Sequence, residues 1–427
     1  MGRKSQSKNI GNCHSIHQNN WKKRQEIKEK YLSNRNVTLC LTMIVKNESR
    51  VMERCLNCLL PVLDFVCITD TGSTDNTVEI ITNWCTEHNL PYKVHVDTWK
   101  NFAHNRSNSF TNAKRTFPDA TYCLLVDADM KMEVMPNFCK QDLKDNYYTL
   151  EQYHGDFSYT NIRIISMHLN WVCKGVTHES WWADNSGHKS HYTGLRIDDI
   201  GDGGAKGDKF IRDKTLLSTA LERKDLAKDE RSRYHFYLGQ TLKDSGEYEE
   251  SIKHYLWYIN NPKSGYYEYV YLSHYHIGIC YERMGKDKEA MEWYYKSYEF
   301  RNERLEGLYA YVILKSKNHL LIDKELLELC IKVDKTGVPG VDCVFVENGT
   351  YIYRFKIEIL YLVYYLTFTN KKYKQIGEIY MNLLNKLIEE YRVKNEMHMI
   401  NRWDLEKINY ISEFYGSPAT QIEASKE

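Results

Sequence analysis

The sequence predicts two folds in tandem: an α/β domain built on a parallel sheet, then an all-α domain of repeated helix pairs. Two observations carry this. Between Val37 and Asp129, short apolar runs alternate with helically spaced segments in the rhythm β-α-β-α-β-α-β. From about Thr215, aromatic, small and glycine positions recur 39 residues apart, as at Gly239 and Gly278 or Tyr255 and Tyr294.

Residues 1–36 carry nine Lys/Arg against two acids and read as a flexible tail, with a short helix from Trp21 to Tyr31. Order begins with the strand "VTLCLTMIV". Val51, Met52, Cys55, Leu56, Leu59 and Leu60 then follow helical spacing, and Pro61 ends that helix. "FVCITD" is the second strand. "TGSTDNTVEIITNWCTEHN" is a glycine turn and a helix, with Asn76 and Glu79 spaced as a capping box. "YKVHV" is the third strand, and Phe102 to Thr116 is a helix ending before Pro118. Tyr122 to Val126, short and apolar, is a buried fourth strand. In parallel sheets, ligands bind beyond the carboxyl ends of the strands. Three such ends are polar: Lys46-Asn47-Glu48, Asp70-Thr71-Gly72-Ser73 and Asp127-Ala128-Asp129. Glycine-rich phosphate loops are absent from them, so the expected site is acidic and metal-assisted.

The stretch "CLLVDADM" sharpens that expectation. On an extended chain, Asp127 and Asp129 project to one face while Ala128 turns away. Two ionised carboxylates at that distance repel unless something positive sits between them or one keeps its proton. A divalent cation with oxygen ligands is the natural partner; the plain alternative is a solvated strand end. The D-x-D spacing occurs once, among 57 acidic residues.

Composition sets the outer limits. A chain of 427 residues with 42% hydrophobic residues can build two or three sizeable cores. The net charge of +1 gives no global field for nucleic acid or membrane. Residues 1–35 lack a signal peptide's apolar core, and the longest apolar run, Ile359 to Phe368, is too short to span a bilayer. Twelve scattered cysteines, with one unmatched C-x-x-C at Cys55 to Cys58, suit free thiols in a reducing, cytoplasmic compartment.

"LTMIVKNE", "ITDTGSTDNT", "NFAHNRSNS" and "LLVDADM", in that order, resemble family 2 glycosyltransferases of the GT-A fold, over about Val37 to Asp213. The resemblance implies transfer of a sugar from a nucleotide sugar, UDP-linked by expectation, with inversion at the anomeric carbon. It implies nucleotide contacts at Thr42, Asp70, Arg106 and Asp127, and Mn²⁺ or Mg²⁺ on the D-x-D: Asp129 directly, Asp127 on the ribose or sharing the metal. Met130 departs from the acidic residue that often follows the D-x-D in close relatives. The chemistry fits independently. Negative charge builds on the departing diphosphate, and a cation stabilises it. An inverting transfer also needs a carboxylate to deprotonate the acceptor. "GVTHES" offers Glu179 as that base and His178 as a metal or diphosphate ligand, with Asp199, Asp198 and His191 as rivals. The plain alternative is an ordinary hydrogen-bonded histidine and a salt-bridged carboxylate. Trp171, Trp181 and Trp182 are candidates for stacking on sugar, or for filling a core. "RIDDIGDGGAKGDKF" suits a mobile lid.

The transferase domain is assigned to 37–214, the repeats to 215–345 and further C-terminal helices to 346–427. The repeats resemble tetratricopeptide repeats, whose period is about 34, with the extra residues placed in "NNPKSGYYEYV". Gly246 and Gly285 should mark turns, with Ser251 and Ala290 at close helix contacts. Such a stack either packs against the transferase domain or offers a concave surface to an acceptor protein, or to a second copy in a homodimer. Two functions follow from different classes. One is a metal-dependent inverting glycosyltransferase acting on a protein or glycan acceptor. The other is a non-catalytic, repeat-based scaffold with a degenerate transferase domain.

Overall fold

The computed structural model describes residues 36–154, 157–204, 209–262, 266–317, 322–340, 343–344, 346–367, 371–393, 400 and 402–414. The basic tail with its helix at Trp21 to Tyr31, and 205–208 of the Gly/Asp loop, lie outside them.

The first half alternates as its periodicity dictates: β1 (Leu39–Val45), α1 (Met52–Leu59), β2 (Phe65–Asp70), α2 (Thr77–Glu87), β3 (Tyr92–Val96), α3 (Phe102–Thr116) and β4 (Tyr122–Leu125). Strands β3, β2, β1 and β4 pair in that order, all parallel. Period-two alternation splits the core. Leu39, Leu41, Met43, Val66, Ile68 and Leu124 meet α1 and α2 on one face, while Cys40, Cys67, Cys123 and Leu125 meet Phe110 and Ala113 of α3 on the other. The capping expectation at α2 fails. Asn76 makes no side-chain cap; Asp75 accepts from Thr77 N at 3.1 Å and from Thr77 Oγ1 at 2.5 Å. Asp75 sits where its short carboxylate reaches the first turn, and it also receives Ser49 N.

The sheet continues with β5 (Met130–Val134), β6 (Tyr147–His154), β7 (Phe157–Ser166) and β10 (Ser190–Asp199), in the order β4-β7-β6-β10-β5. Strand β7 runs antiparallel to β4, and β10 pairs parallel with β6 and antiparallel with β5. Between β7 and β10, the short strands β8 (Val172–Lys174) and β9 (Ser180–Trp182) form a separate hairpin.

Helices follow: α4 (Lys209–Leu221), α5 (Lys228–Asp244), α6 (Tyr248–Asn260), α7 (Tyr267–Arg283), α8 (Asp287–Phe300), α9 (Glu306–Lys317) and α10 (Lys324–Val333), then α11 (Phe355–Thr367), α12 (Tyr373–Val393) and α13 (Arg402–Phe414). The pairs α5/α6 and α7/α8 repeat one design. Gly246 and Gly285 occupy left-handed backbone at the two inter-helix turns, with φ of +86° and +72°. Gly239 and Gly278 lie against the rings of Tyr255 and Tyr294, and Ser251 and Ala290 are fully buried. Arg304, fully buried, is paired to Glu268 and Glu306, and its guanidinium donates to the Val344 carbonyl. The segment 346–427 is not all helix: β11 (Val346–Glu347) adds antiparallel to β7, joining the helical half to the sheet.

The two small positions differ in tightness. A Cβ on Gly239 would lie 3.1 Å from the Tyr255 ring, whereas one on Gly278 would fall inside the Tyr294 ring. Gly→Ala in a helix gains roughly 1 kcal/mol of propensity, and overpacking costs about 1–3 kcal/mol. Gly278→Ala should therefore lower the chemical-denaturation midpoint while Gly239→Ala stays near neutral. Equal effects would mean that the contact at Tyr294 does not constrain the helix pair.

Candidate functional site

The carboxyl ends of β1 and β4, the β8–β9 loop, the end of β10 and the start of α4 enclose a cleft of about 810 Å³. Its walls are unusually charged. Lys46, Arg106, Lys209 and Arg212 face Glu48, Asp127, Asp129, Glu179, Asp199 and Asp213 around it.

The D-x-D does not lie on a strand. Strand β4 stops at Leu125, and Asp127-Ala128-Asp129 forms a turn in which Met130 N donates to Asp127 O at 3.1 Å. The two carboxylates therefore take different surroundings. The positive group beside Asp127 is arginine: Arg106 of α3 donates to Oδ1 at 2.7 Å, and Arg163 of β7 to Oδ2 at 3.2 Å. Loss of water around Asp127 would raise its pKa, but Arg106 and Arg163 override this and pull it down to about 2. Of the two roles expected for Asp127, on the ribose or on a shared metal, its arginine partners favour the first. Arg163 is itself buried and held through Nε by Gln152 at 2.8 Å. Arg106 is also ion-paired to Glu179.

Asp129 points elsewhere. A Cβ on Gly203 would lie 3.2 Å from Asp129 Oδ2 and 3.0 Å from Glu48 Oε2, so both carboxylates reach the same glycine. Gly204 N donates to Glu48 Oε2 at 2.9 Å. Burial and, against that bond, the charge of Asp129 raise the Glu48 pKa. Two carboxylates that approach the same glycine are the oxygen donors in this site that could hold a hard cation. Among the described residues, no group of three His, Cys, Asp or Glu side chains converges on one point.

The other expected site residues divide. Thr42 lies in mid-strand, buried and within 3.1 Å of Cys123 Sγ, away from the cleft. The end of β1 that does line it is Ile44 to Glu48. Asp70 is buried and spends its carboxylate on the backbone N–H groups of Gly72 and Ser73, at 3.1–3.2 Å, which shapes the loop after β2. Asp199 lines the cleft, accepts from Tyr159 OH at 2.9 Å and stands opposite Met130 in the β5–β10 ladder. His191 and Asp198 lie elsewhere on β10, paired with Thr149 and Lys131 respectively. Glu179 and His178 do reach the cleft, because the chain turns at His178, whose φ is +49°. The His178 imidazole is stacked on Tyr237, with centroids 4.1 Å apart and planes 2° apart. Loss of water, reinforced by Lys209, Arg233 and Arg212 against the opposing charge of Asp213, lowers its pKa to about 4, so the ring is neutral at pH 7.

The three tryptophans divide, and none of them lines the cleft. Trp171 is buried and donates to the Ser166 carbonyl. Trp181 packs on Phe110, and exposed Trp182 carries Lys174 at 3.9 Å over its ring. The cleft's aromatic rings include Trp99 and Phe102. The described start of the Gly/Asp loop is pinned: Arg54 grips Asp202 through two bonds of 2.7 Å.

With this geometry in place, comparison with known proteins is informative. Residues 40–143 match the model of glycosyl transferase family 2. That segment is similar to family 2 glycosyltransferase domains. No curated protein matches the chain. Among solved structures, S. aureus TarS is similar over 60% of this chain and 54% of its own length, at 12% identity and TM-score 0.33. TarS 1-349 is similar over 62% and 92%, at 12% identity and TM-score 0.31. The same piece in complex with UDP gives 62% and 92%, 12% and 0.30. The chain thus spans about half the length of the first of these proteins.

The Asp127 pairing has a pH signature. Its carboxylate is depressed from 3.8 to about 2, so the stabilisation is complete above the unfolded value and is lost as pH falls toward the folded one. Between pH 5 and pH 3 the wild type should lose about 1 kcal/mol more stability than Asp127→Asn. Urea midpoints at the two pH values measure this, and parallel losses would show that the arginines do not hold an ionised carboxylate.

Proposed function

We propose that the chain transfers a sugar from a UDP-linked nucleotide sugar to a protein or glycan acceptor, with divalent-metal assistance and inversion. The observation that carries this reading is the Glu48–Asp129 pair. It stands at the carboxyl end of a parallel sheet, in a charged cleft, within a domain whose sequence matches family 2.

Asp129 and Glu48 would hold the Mn²⁺ or Mg²⁺, and Asp127 would not. Met130, buried in the core, supplies no carboxylate after the D-x-D, and Glu48 from the end of β1 takes that place. When bound, the cation would neutralise the charge that builds on the departing diphosphate. Lys46, Lys209 and Arg212 add positive charge along the same cleft. Asp127, fixed between its arginines, would orient Arg106 and the floor of the nucleotide site.

The acceptor's proton goes to Asp199 in this reading. A general base must have a lone pair within reach of the acceptor. Glu179 is tied to the Arg106 guanidinium, whereas Asp199 is held by a neutral tyrosine hydroxyl. The helical repeats flank this cleft and offer surface to a macromolecular acceptor or a second copy.

The deciding experiment uses the full chain with a panel of nucleotide sugars, with Mn²⁺ and after chelation. A UDP-sugar should raise the melting temperature only with metal, and Asp129→Asn should abolish that rise while leaving the unliganded transition unchanged. At saturating donor, Asp199→Asn should keep donor affinity and lose turnover by about 100-fold or more. Metal-independent donor binding would remove the cation role. Absence of donor binding under all conditions would favour a scaffold with a degenerate domain.

A further inference from the structure

The five-residue loop Gly175–Glu179 that closes the β8–β9 hairpin is gripped from the helical half. Val176 N donates to Tyr234 OH at 3.3 Å, and Thr177 Oγ1 to Asp213 at 3.4 Å. Arg233 donates to the His178 carbonyl, and Tyr237 stacks under the His178 ring. The array continues inward. The Arg233 guanidinium lies 5.0 Å from the Tyr237 ring centre, and Tyr237 OH shares a hydrogen bond of 2.9 Å with Tyr269 OH on α7. Tyr269 in turn stacks on Phe236 at 4.4 Å. A left-handed, non-glycine residue is strained and persists only where its surroundings over-determine it. The contacts that do so at His178 come from α5.

We propose that Tyr237 and Arg233 are positioning residues that hold the His178 imidazole at the cleft wall, so that the helical array completes the transferase site. The proposal rests on the transferase reading above. A neutral imidazole offers one donor and one acceptor, the pattern that suits a sugar hydroxyl. The flat stack fixes the plane of the ring, and the grip on the carbonyl fixes its origin. Misplacing such a group by about 1 Å can cost 100-fold in rate.

The test separates position from turnover. In the full chain with ¹³C-labelled histidine, the His178 ring protons, assigned with His178→Gln, should resonate upfield through the ring current of Tyr237. Tyr237→Phe should retain the shift and Tyr237→Leu should lose it. Tyr237→Leu should also lower kcat about tenfold or more with a smaller change in donor KM, and Tyr237→Phe should restore it. Arg233→Lys should weaken both readouts in the same direction. If Tyr237→Leu loses the upfield shift yet turns over normally, the stack has no part in the site and the proposal falls. If the wild type transfers no sugar, the transferase reading falls instead, and the ring shift alone then decides whether Tyr237 positions His178.

Discussion

The site depends on one half-buried charge being held by two others. Asp127 lines a charged cleft, half-buried, where loss of water disfavours an ionised carboxylate without partners. It is stable because Arg106 arrives from α3 and Arg163 from β7, and each has an anchor of its own, Glu179 for the first and Gln152 for the second. Two arginines and two carboxylates cancel in charge. The network therefore ties α3, the turn after β4, the inner sheet strands and the β8–β9 loop into one unit without imposing a net field on the cleft. The charges outside it, Lys46, Lys209 and Arg212 against Glu48, Asp129, Asp199 and Asp213, line the rest of the cleft.

Much of the α/β half was legible because its signals are local. Apolar runs with period two, helical spacing between them and polar strand ends reproduce the order β1 to β4, and the resemblance in "LLVDADM" points to the right turn. What the turn contains was harder to read. That Asp127 and Asp129 need positive charge follows from repulsion alone. That Asp127 is satisfied by arginine depends on Arg163, which lies 36 residues further on and on another strand. One signal for it existed: "NIRIISM" carries a lone charge in a β-branched run bound for a buried strand. Thr42 and Asp70 show how partners that are distant or local decide where a polar side chain goes. Both are polar and near strand ends, yet Thr42 is consumed inside the sheet and Asp70 by its own loop.

The helical half was legible as repeats and illegible as part of the site. Gly246, Gly285, Ser251 and Ala290 recur at a fixed spacing because each helix pair solves the same packing problem. Arg233 and Tyr237 carry no such mark. Their meaning lies in contacts to a hairpin 55 or more residues earlier in the chain. The strand β11 is similar: two residues say nothing on their own, but pairing with β7 ties the helical half to the sheet that carries Arg163.

Gly203 shows how backbone economy shapes chemistry. Its backbone needs no left-handed conformation, so conformational freedom is not why glycine stands there. Space is: any Cβ would press on Glu48 and Asp129 together. The loop thereby closes over two like charges that already repel, and Gly204 N relieves one of them with a single hydrogen bond. Arginines engage the neighbouring Asp127, whereas Glu48 and Asp129 both approach this glycine. A side chain at position 203 would have to displace one carboxylate or the other, whereas hydrogen leaves both lining the cleft.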